Sequence, residues 1–476
     1  MLNLTNSIAI AVATAIVLGI SFFAASLVNK RSKGSANSNW ATGGQDLPIY
    51  VIIGTQFASA FGGGILVGQV GNAYNNGLSV AIYGFYSSIV FFIFMFIARW
   101  LRRSGHTTIP EIVNGFVGRY SKRVAILAAA MALVVPFGWI GSQLVAFAKM
   151  YAPMTGINYN ALIIGLCIVS VFFVMPAGLK TVAWTDFIFS AMILVMLAVI
   201  LIKAITQGGG VAEVAANIPK ELVTFPDFVN KLGWNTVFLW TFAVLPGAMT
   251  NQLYLQRIIA IDDEKNVNKS LAISGILVFL SFVWAAVMGL TIKVINPALE
   301  GGGEGATGWF VAQLPVVLMA IFAGLLCAAI MSTISSAVQS VVVNITTDLY
   351  SVIKPDATDD RRLKLSKVFT VVVMAVAGIL AVIFPNVLGW FTYAYTFSAA
   401  SLLCPIFVGF ILKDKDVITE EGMFYSILLG IVGCIISMFI PWNVPDVVPG
   451  IIVSFVSLIG ISKATKKQEA LPANNA

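Results

Sequence analysis

Charge is scarce in this chain. Asp, Glu, Lys and Arg make up 10% of 476 residues against 59% hydrophobic, with a mean hydropathy of +0.93. That balance excludes a soluble globular domain and implies a polytopic membrane protein. Histidine is nearly absent: His106 stands alone in a basic loop, which removes a His-based metal centre and a long proton relay. The four cysteines, Cys167, Cys327, Cys404 and Cys434, all lie in apolar runs without C-x-x-C spacing, so neither a disulfide framework nor a thiolate metal site is indicated. The net charge of +7 would suggest nucleic acid in a soluble chain. Here the cations cluster in short loops between apolar runs, there is no nucleic-acid motif, and the excess points to membrane topology instead. The N-terminus lacks a basic leader and its apolar run is too long for a signal peptide, so it reads as a retained first span.

What is abundant is apolar runs long enough to cross about 30 Å of hydrocarbon. They cover 5–28, 48–70, 77–98, 124–149, 160–175, 181–205, 234–256, 270–292, 314–343, 368–384, 387–412, 422–440 and 446–461, thirteen expected spans in an all-α protein. With the N-terminus outside, the clusters at Arg99, Arg102, Arg103, at Arg119, Lys122, Arg123 and at Arg361, Arg362, Lys364 all fall on the cytoplasmic side, and Arg257 is counted with them. The C-terminus is then cytoplasmic, and a plasma (inner) membrane is the expected location. The loops 206–233 and 296–308 read as solvated connectors or gates, and 464–476 as a disordered tail.

Two spans carry interruptions. The second contains Ala58-Ser59-Ala60-Phe61-Gly62-Gly63-Gly64, and each glycine weakens a helix by about 1 kcal/mol. The seventh contains Leu245-Pro246-Gly247, where proline cannot donate its backbone bond. The breaks lie five spans apart, so the two helices run in opposite directions, as an inverted five-plus-five repeat requires. The expected organisation is therefore a first span and linker over 1–47, one repeat over 48–205, an outer loop over 206–233, a second repeat over 234–412, and two further spans over 413–463.

Between Cys327 and Tyr350 the 100° helical period puts Ser332, Thr333, Ser335, Ser336, Gln339 and Ser340 on one face. A single membrane-helix hydroxyl commonly bonds the carbonyl one turn back. Six on one face suit a hard, monovalent cation such as Na⁺, which neutral oxygens can cage. Asp186 is the one carboxylate expected at membrane depth, either capping the start of its span or facing an ion.

These features together resemble the sodium:solute symporter family. The resemblance rests on the glycine-rich second span with Gly71, Tyr74 and Gly77, on Ala183-Trp184-Thr185-Asp186, and on Met331-Ser332-Thr333-Ile334-Ser335-Ser336 with Asp348-Leu349-Tyr350. It implies a LeuT-type fold and a sodium site formed by main-chain oxygens of Ala58, Phe61 and Ala329 with the hydroxyls of Ser332 and Thr333. It also implies a possible second site at Asp186, Ser335 and Ser336. Relatives with an aspartate ahead of the glycines differ from this chain, which has Ala60 there.

The organic solute is expected at the midplane between the broken helices. Candidates are Gln56, Gly63 and Gln69 on span 2, Trp139 and Gln143 on span 4, Trp240, Asn251 and Gln252 on span 7, and Tyr393 and Tyr395 on span 11. No Arg or Lys lies centrally in spans 2, 4, 7 or 11, so a carboxylate would rely on helix N-termini and backbone N–H groups at the breaks. The hydroxyl-poor Gly62–Gly64 segment, which leaves backbone exposed, mildly favours a small zwitterion or amine over a sugar. The expected function is sodium-coupled symport of a small organic solute by alternating access, with a proton-coupled or uncoupled carrier of the same fold as the alternative. No enzyme active site is indicated, and the oligomeric state is not readable.

Overall fold

The computed structural model describes residues 3–31, 46–174, 179–354 and 356–469. The described chain is helical, with an isolated β-bridge between Leu47 and Ile261. The elements used below are α1 (Leu4–Arg31), α2 (Ile49–Ala60), α3 (Val70–Asn76), α4 (Val80–Phe94), α5 (Val134–Thr155), α6 (Tyr159–Val174), α7 (Leu179–Gln207), α8 (Trp234–Leu239), α9 (Gln252–Ala260), α10 (Val267–Ile295), α11 (Val316–Val343), α12 (Asp359–Ile383), α13 (Val387–Leu403), α14 (Glu420–Ser437) and α15 (Val447–Glu469). Among the described residues nine helical runs are long and apolar enough to cross a membrane, and Leu4–Ile20, Ile49–Ala60 and Tyr159–Val174 are shorter apolar helices. One of the nine, Gly64–Phe94, is interrupted at Gly77, whose φ of 64° is open to glycine at little cost.

Helix ends follow local chemistry. The side chains of Asn251, Asn386 and Thr419 accept from the backbone N–H of Leu253 (3.0 Å), Gly389 (2.7 Å) and Gly422 (3.2 Å), capping α9, α13 and α14. α11 starts after Pro315, whose ring excludes it from a helix interior. Its residues from Phe322 to Val343 are buried throughout, making it the central post of the bundle. α1 lies along it, with Gly324 against Ala13, while α2, α5 and α7 pack around the rest.

The two expected breaks are both present, but the second is displaced. Span 2 unwinds at Phe61, between α2 and a wide helical turn over Gly64–Gln69 that leads into α3. Span 7 continues through Pro246 and Gly247 in a short helix, Leu245–Met249, and breaks at Thr250 and Asn251. Gly247 serves packing: a Cβ there would lie 2.4 Å from that of Tyr395. Pro246 falls in the first turn of its segment, where a missing N–H matters least, so the chain breaks instead where Asn251 caps α9.

The connector 296–308 is exposed at 297, 298 and 300–302 and anchored beyond them, where Gly303 lies against Gly71 and the Thr307 hydroxyl donates to Leu66 O. The tail expected to be disordered from 464 is helical to Glu469. Thr419 reaches its last turns through Ser462 (3.2 Å) and Thr465 (2.8 Å), holding them on α14. The expected linker at 32–45 and the residues 470–476 lie outside the described residues.

Candidate ion and solute site

The unwound piece of span 2 is held by side chains that only glycines let close. Phe61 is extended (φ −98°, ψ 114°), with its ring stacked on Phe57. A Cβ on Gly62 would meet Gln143 Oε1 at 2.6 Å and Thr333 Oγ1 at 3.0 Å, and one on Gly63 would meet the Ala146 Cβ at 2.2 Å. The N–H of Gly63 donates instead to Gln143 Oε1 at 2.7 Å. The break is thereby fixed against α5 on one side and α11 on the other.

Oxygens converge beside it. The Thr333 hydroxyl lies 3.3 Å from Ala58 O and 3.0 Å from Ala329 O. Ser332, one residue earlier, donates to Asp186 Oδ1, and Thr55 donates to Asp186 Oδ2 at 2.6 Å. Asp186 is fully buried. A buried carboxylate needs hydrogen bonds and a counter-charge, and the first need is met by hydroxyls from α2 and α11. The cation that interacts with it electrostatically is Arg257 of α9, also buried at 1% exposure. Arg257 Nη1 donates to Leu253 O (3.0 Å) and Nη2 to Ser336 Oγ (2.6 Å).

A cavity adjoins the break. It is lined by Ala60, Gly62, Gly64, Gln69, Tyr83, Ser87, Trp139, Gln143, Tyr254, Phe282, Phe391 and Tyr395, with no charged side chain. Its free space is about 30 Å³, room for water rather than a metabolite, so this form is contracted around the site. The rings brace one another: Trp139 is edge-on to Phe391 at 5.5 Å and its Nε1 donates to the Tyr395 hydroxyl at 3.3 Å. Beyond the glycine break the Glu304 segment lies against Gly71, with Lys149 paired to Glu304 and Val387 N donating to the same carboxylate. At the other end Thr108 donates to Asp348 (2.8 Å) and Gln252 to Asn344 (2.6 Å), tying the segment after span 3 and the start of α9 to the residues that follow α11.

A profile of the sodium:solute symporter family matches residues 40–430. The chain belongs to the sodium:solute symporter family. Curated relatives include a sodium/glucose cotransporter of Vibrio parahaemolyticus, 23% identical over 93% of this chain and 87% of the relative. A sodium/proline symporter of Staphylococcus aureus is likewise 23% identical, over 91% and 88%. Among solved structures, a Na⁺-coupled sialic acid symporter in a substrate-bound outward-open state superposes with a TM-score of 0.82 at 17% identity, covering 97% of this chain and 98% of that one. The nucleobase-cation-symport-1 transporter Mhp1, closed on bromovinylhydantoin, gives 0.62 at 14%, covering 90% and 96%. The fold is therefore the LeuT-like one, and this integral membrane protein works by sodium-coupled symport. Equal identity to a sugar carrier and an amino-acid carrier leaves the solute to be argued from the cavity.

The symporter's expected residues divide clearly. Ala58, Ala329 and Thr333 meet directly, with Ser332 adjacent through Asp186. Phe61 sits at the break, but neither hydroxyl donates to it among the described residues. In the Asp186, Ser335 and Ser336 group, Ser335 donates to Met331 O on its own helix (2.8 Å) and Ser336 accepts from Arg257, while Asp186 is bonded by Ser332 and Thr55. Of the solute candidates, Gln69, Trp139, Gln143 and Tyr395 line the cavity, and Gly63 touches it through Gln143.

Five candidates are placed elsewhere. Gln56 accepts from Ser274 on α10, and Trp240 packs behind the wall against Tyr83. Asn251 caps α9, and Gln252 bonds Ile109 and Asn344, because the break sits later than Pro246. Tyr393 is 50% exposed, two residues and hence about 200° around the helix from Tyr395. The sequence reading missed Thr55, Tyr83, Tyr254, Phe282, Phe391 and Arg257. Thr55 was findable, lying one helical turn before Ala58. Arg257 was not, because a cation at the end of a span reads as a loop charge.

Proposed function

We propose that this symporter binds Na⁺ between Ala58 O, Ala329 O and the Thr333 hydroxyl, with Ser332 and Phe61 O completing the shell, and carries a small, electrically neutral solute in the adjoining cavity. The observation that carries the reading is the placement of Thr333 Oγ1 at 3.3 and 3.0 Å from the two carbonyls. Oxygens at right angles in a shell of radius about 2.4 Å are about 3.4 Å apart, so these groups need little rearrangement to surround a small hard cation. Their ordinary valence is neutral, which suits a monovalent ion that has to leave again.

The solute class follows from the lining. With no charged side chain in the cavity, an ionic solute would be buried without a partner. A zwitterion carries its own counter-charge. Its carboxylate is best met by backbone N–H groups where the helix resumes at Gly64, and its ammonium by the faces of Trp139, Tyr254 or Phe391. Gln143, whose Oε1 accepts from Gly63 N–H, holds the unwound segment in place beside the solute and offers it a polar wall.

Sodium drives the cycle by binding one arrangement of α2 and α11 better than others. With the N-terminus outside, the Glu304 end faces the exterior and the Asp348 end the cytoplasm, so transport is uptake. The membrane potential then adds about 2.3 kcal/mol per charge per 100 mV. The test is uptake of radiolabelled neutral amino acids, quaternary amines, sugars and organic anions by the purified protein in liposomes, with external Na⁺ or choline. Saturable, Na⁺-dependent accumulation of a neutral or zwitterionic solute is expected. Preference for an anion overturns the solute class, and uptake indifferent to Na⁺ overturns the ion site.

A further inference from the structure

A second space, of about 430 Å³, opens between α5, α12 and α13 on the side of the bundle away from the solute cavity. Its walls are aliphatic and aromatic, among them Phe137 of α5, Val372 and Val376 of α12, Trp390 and Tyr393 of α13, and Ile345 beyond the end of α11. Val372, Val376 and Tyr393 are 47%, 43% and 50% exposed on helices that are long and apolar enough to cross a membrane, so lipid hydrocarbon is what covers them.

The same face continues to a basic end. At 100° per residue, Leu365, Phe369, Val372 and Val376 share one side of α12. Leu365 stands four residues after Arg361 and three after Arg362, so the two arginines flank this face one turn nearer the start of the helix. Arg361 is exposed and Arg362 half-buried, and Arg362 Nε is buried with no hydrogen-bond partner among the described residues. Residues 359–367 hold four cations against two aspartates. From Arg362 to Val372 is ten residues, about 15 Å along the helix, and the hydrocarbon of one leaflet is about 15 Å deep. An apolar slot at the midplane and a guanidinium pair at headgroup level thus stand one lipid apart.

We propose that the groove seats an acyl chain of an anionic phospholipid whose phosphate lies at Arg361 and Arg362. The lipid belongs to the leaflet that meets the start of α12, the cytoplasmic one when the N-terminus is outside. Selectivity has to come from the headgroup, because a chain already in hydrocarbon gains little by moving against apolar side chains, whereas arginine holds a phosphate with charge and paired N–H donors. The groove is also the back of the solute cavity: Gly138 precedes Trp139, Trp390 precedes Phe391 and Ala394 precedes Tyr395. There α5 and α13 touch closely, since a Cβ on Gly141 would lie 2.6 Å from the Trp390 ring. A seated chain supports that contact from the lipid side. The inference needs neither the sodium site nor the solute class proposed above.

The experiment counts retained lipids. The purified protein is exchanged into detergent holding phosphatidylglycerol and phosphatidylcholine of identical chains in equal amounts, and native mass spectrometry reads what stays bound. The unaltered protein is expected to retain one phosphatidylglycerol about tenfold more strongly than phosphatidylcholine. Arg361→Gln with Arg362→Gln is expected to bring that ratio below about threefold, while Lys364→Gln with Lys367→Gln, on other sides of α12, leaves it unchanged. Val376→Trp fills the groove and is expected to lose both lipids alike. A ratio near one in the unaltered protein, or a ratio that falls as far in the lysine pair as in the arginine pair, overturns the headgroup site. Undiminished retention by Val376→Trp overturns the groove. Should the arginine pair not survive purification, Arg361→Gln and Arg362→Gln are read singly, each expected to lower the ratio about threefold, and a ratio unmoved by either overturns the proposal.

Discussion

Replacing Thr333 by Val tests the sodium site most sharply. The β-branched shape is kept and one oxygen is removed, the one that lies within 3.3 Å of Ala58 O and 3.0 Å of Ala329 O. Without sodium, the loss is a neutral hydrogen bond to Ala58, worth about 1 kcal/mol, so the fold persists. With sodium bound, the lost oxygen is one that faces a charge, and such contacts are worth about 1.5–3 kcal/mol. At about 1.4 kcal/mol per tenfold, the midpoint for Na⁺ should rise about 10- to 150-fold. Thr333→Ser keeps the oxygen and should stay within about threefold of the parent, less than 1 kcal/mol. The assay is Na⁺ titration of thermal stability in detergent, with choline holding ionic strength constant. A Val variant whose midpoint moves by less than about threefold, or a Ser variant as impaired as the Val, would refute the reasoning.

Gly63→Ala places a Cβ 2.2 Å from that of Ala146 and forces α5 away from the break. Overpacking of this kind costs about 1–3 kcal/mol, and uptake should be lost while the protein still reaches the membrane, with Ala146→Gly in the same chain restoring part of it. Gln143→Leu removes the acceptor at Gly63 N–H and a polar group of the cavity wall, so the half-saturating solute concentration should rise about tenfold, equivalent to about 1.4 kcal/mol. Tyr393→Ala, on the exposed side of the same helix that carries Tyr395, should leave that concentration unchanged. Solute titration of uptake in liposomes checks both.

Helical hydroxyl spacing was enough to mark α11 as a polar post, and the three consecutive glycines were enough to mark where span 2 unwinds. Both are local signals, since a helix fixes the direction of side chains 100° apart and glycine sets local helix cost. The same reasoning placed the second break at Pro246-Gly247, some four residues early. There the deciding facts were the close approach of Gly247 to Tyr395 and the capping of α9 by Asn251, neither of which a propensity can register. Ser335 and Ser336 looked alike from their spacing. In the fold one bonds its own helix and the other a guanidinium from α9.

The sequence by itself determined that the chain is a helical membrane protein, that two of its spans are interrupted, and that Ser332 and Thr333 share a hydroxyl-rich helix face; Ala58 and Ala329 as their companions came only from the family resemblance. Hydropathy, helical period and the rarity of charge within spans act within a single segment, so they can be read from it. Which aromatic rings wall the cavity, where the candidates Gln56 and Tyr393 point, and what bonds Asp186 were decided only by the tertiary structure. Those outcomes depend on the rotation of each helix about its axis and on contacts between segments up to hundreds of residues apart. Arg257 shows the difference: by position it is a cytoplasmic loop charge, and by packing it is buried and bonded to Leu253 O and Ser336.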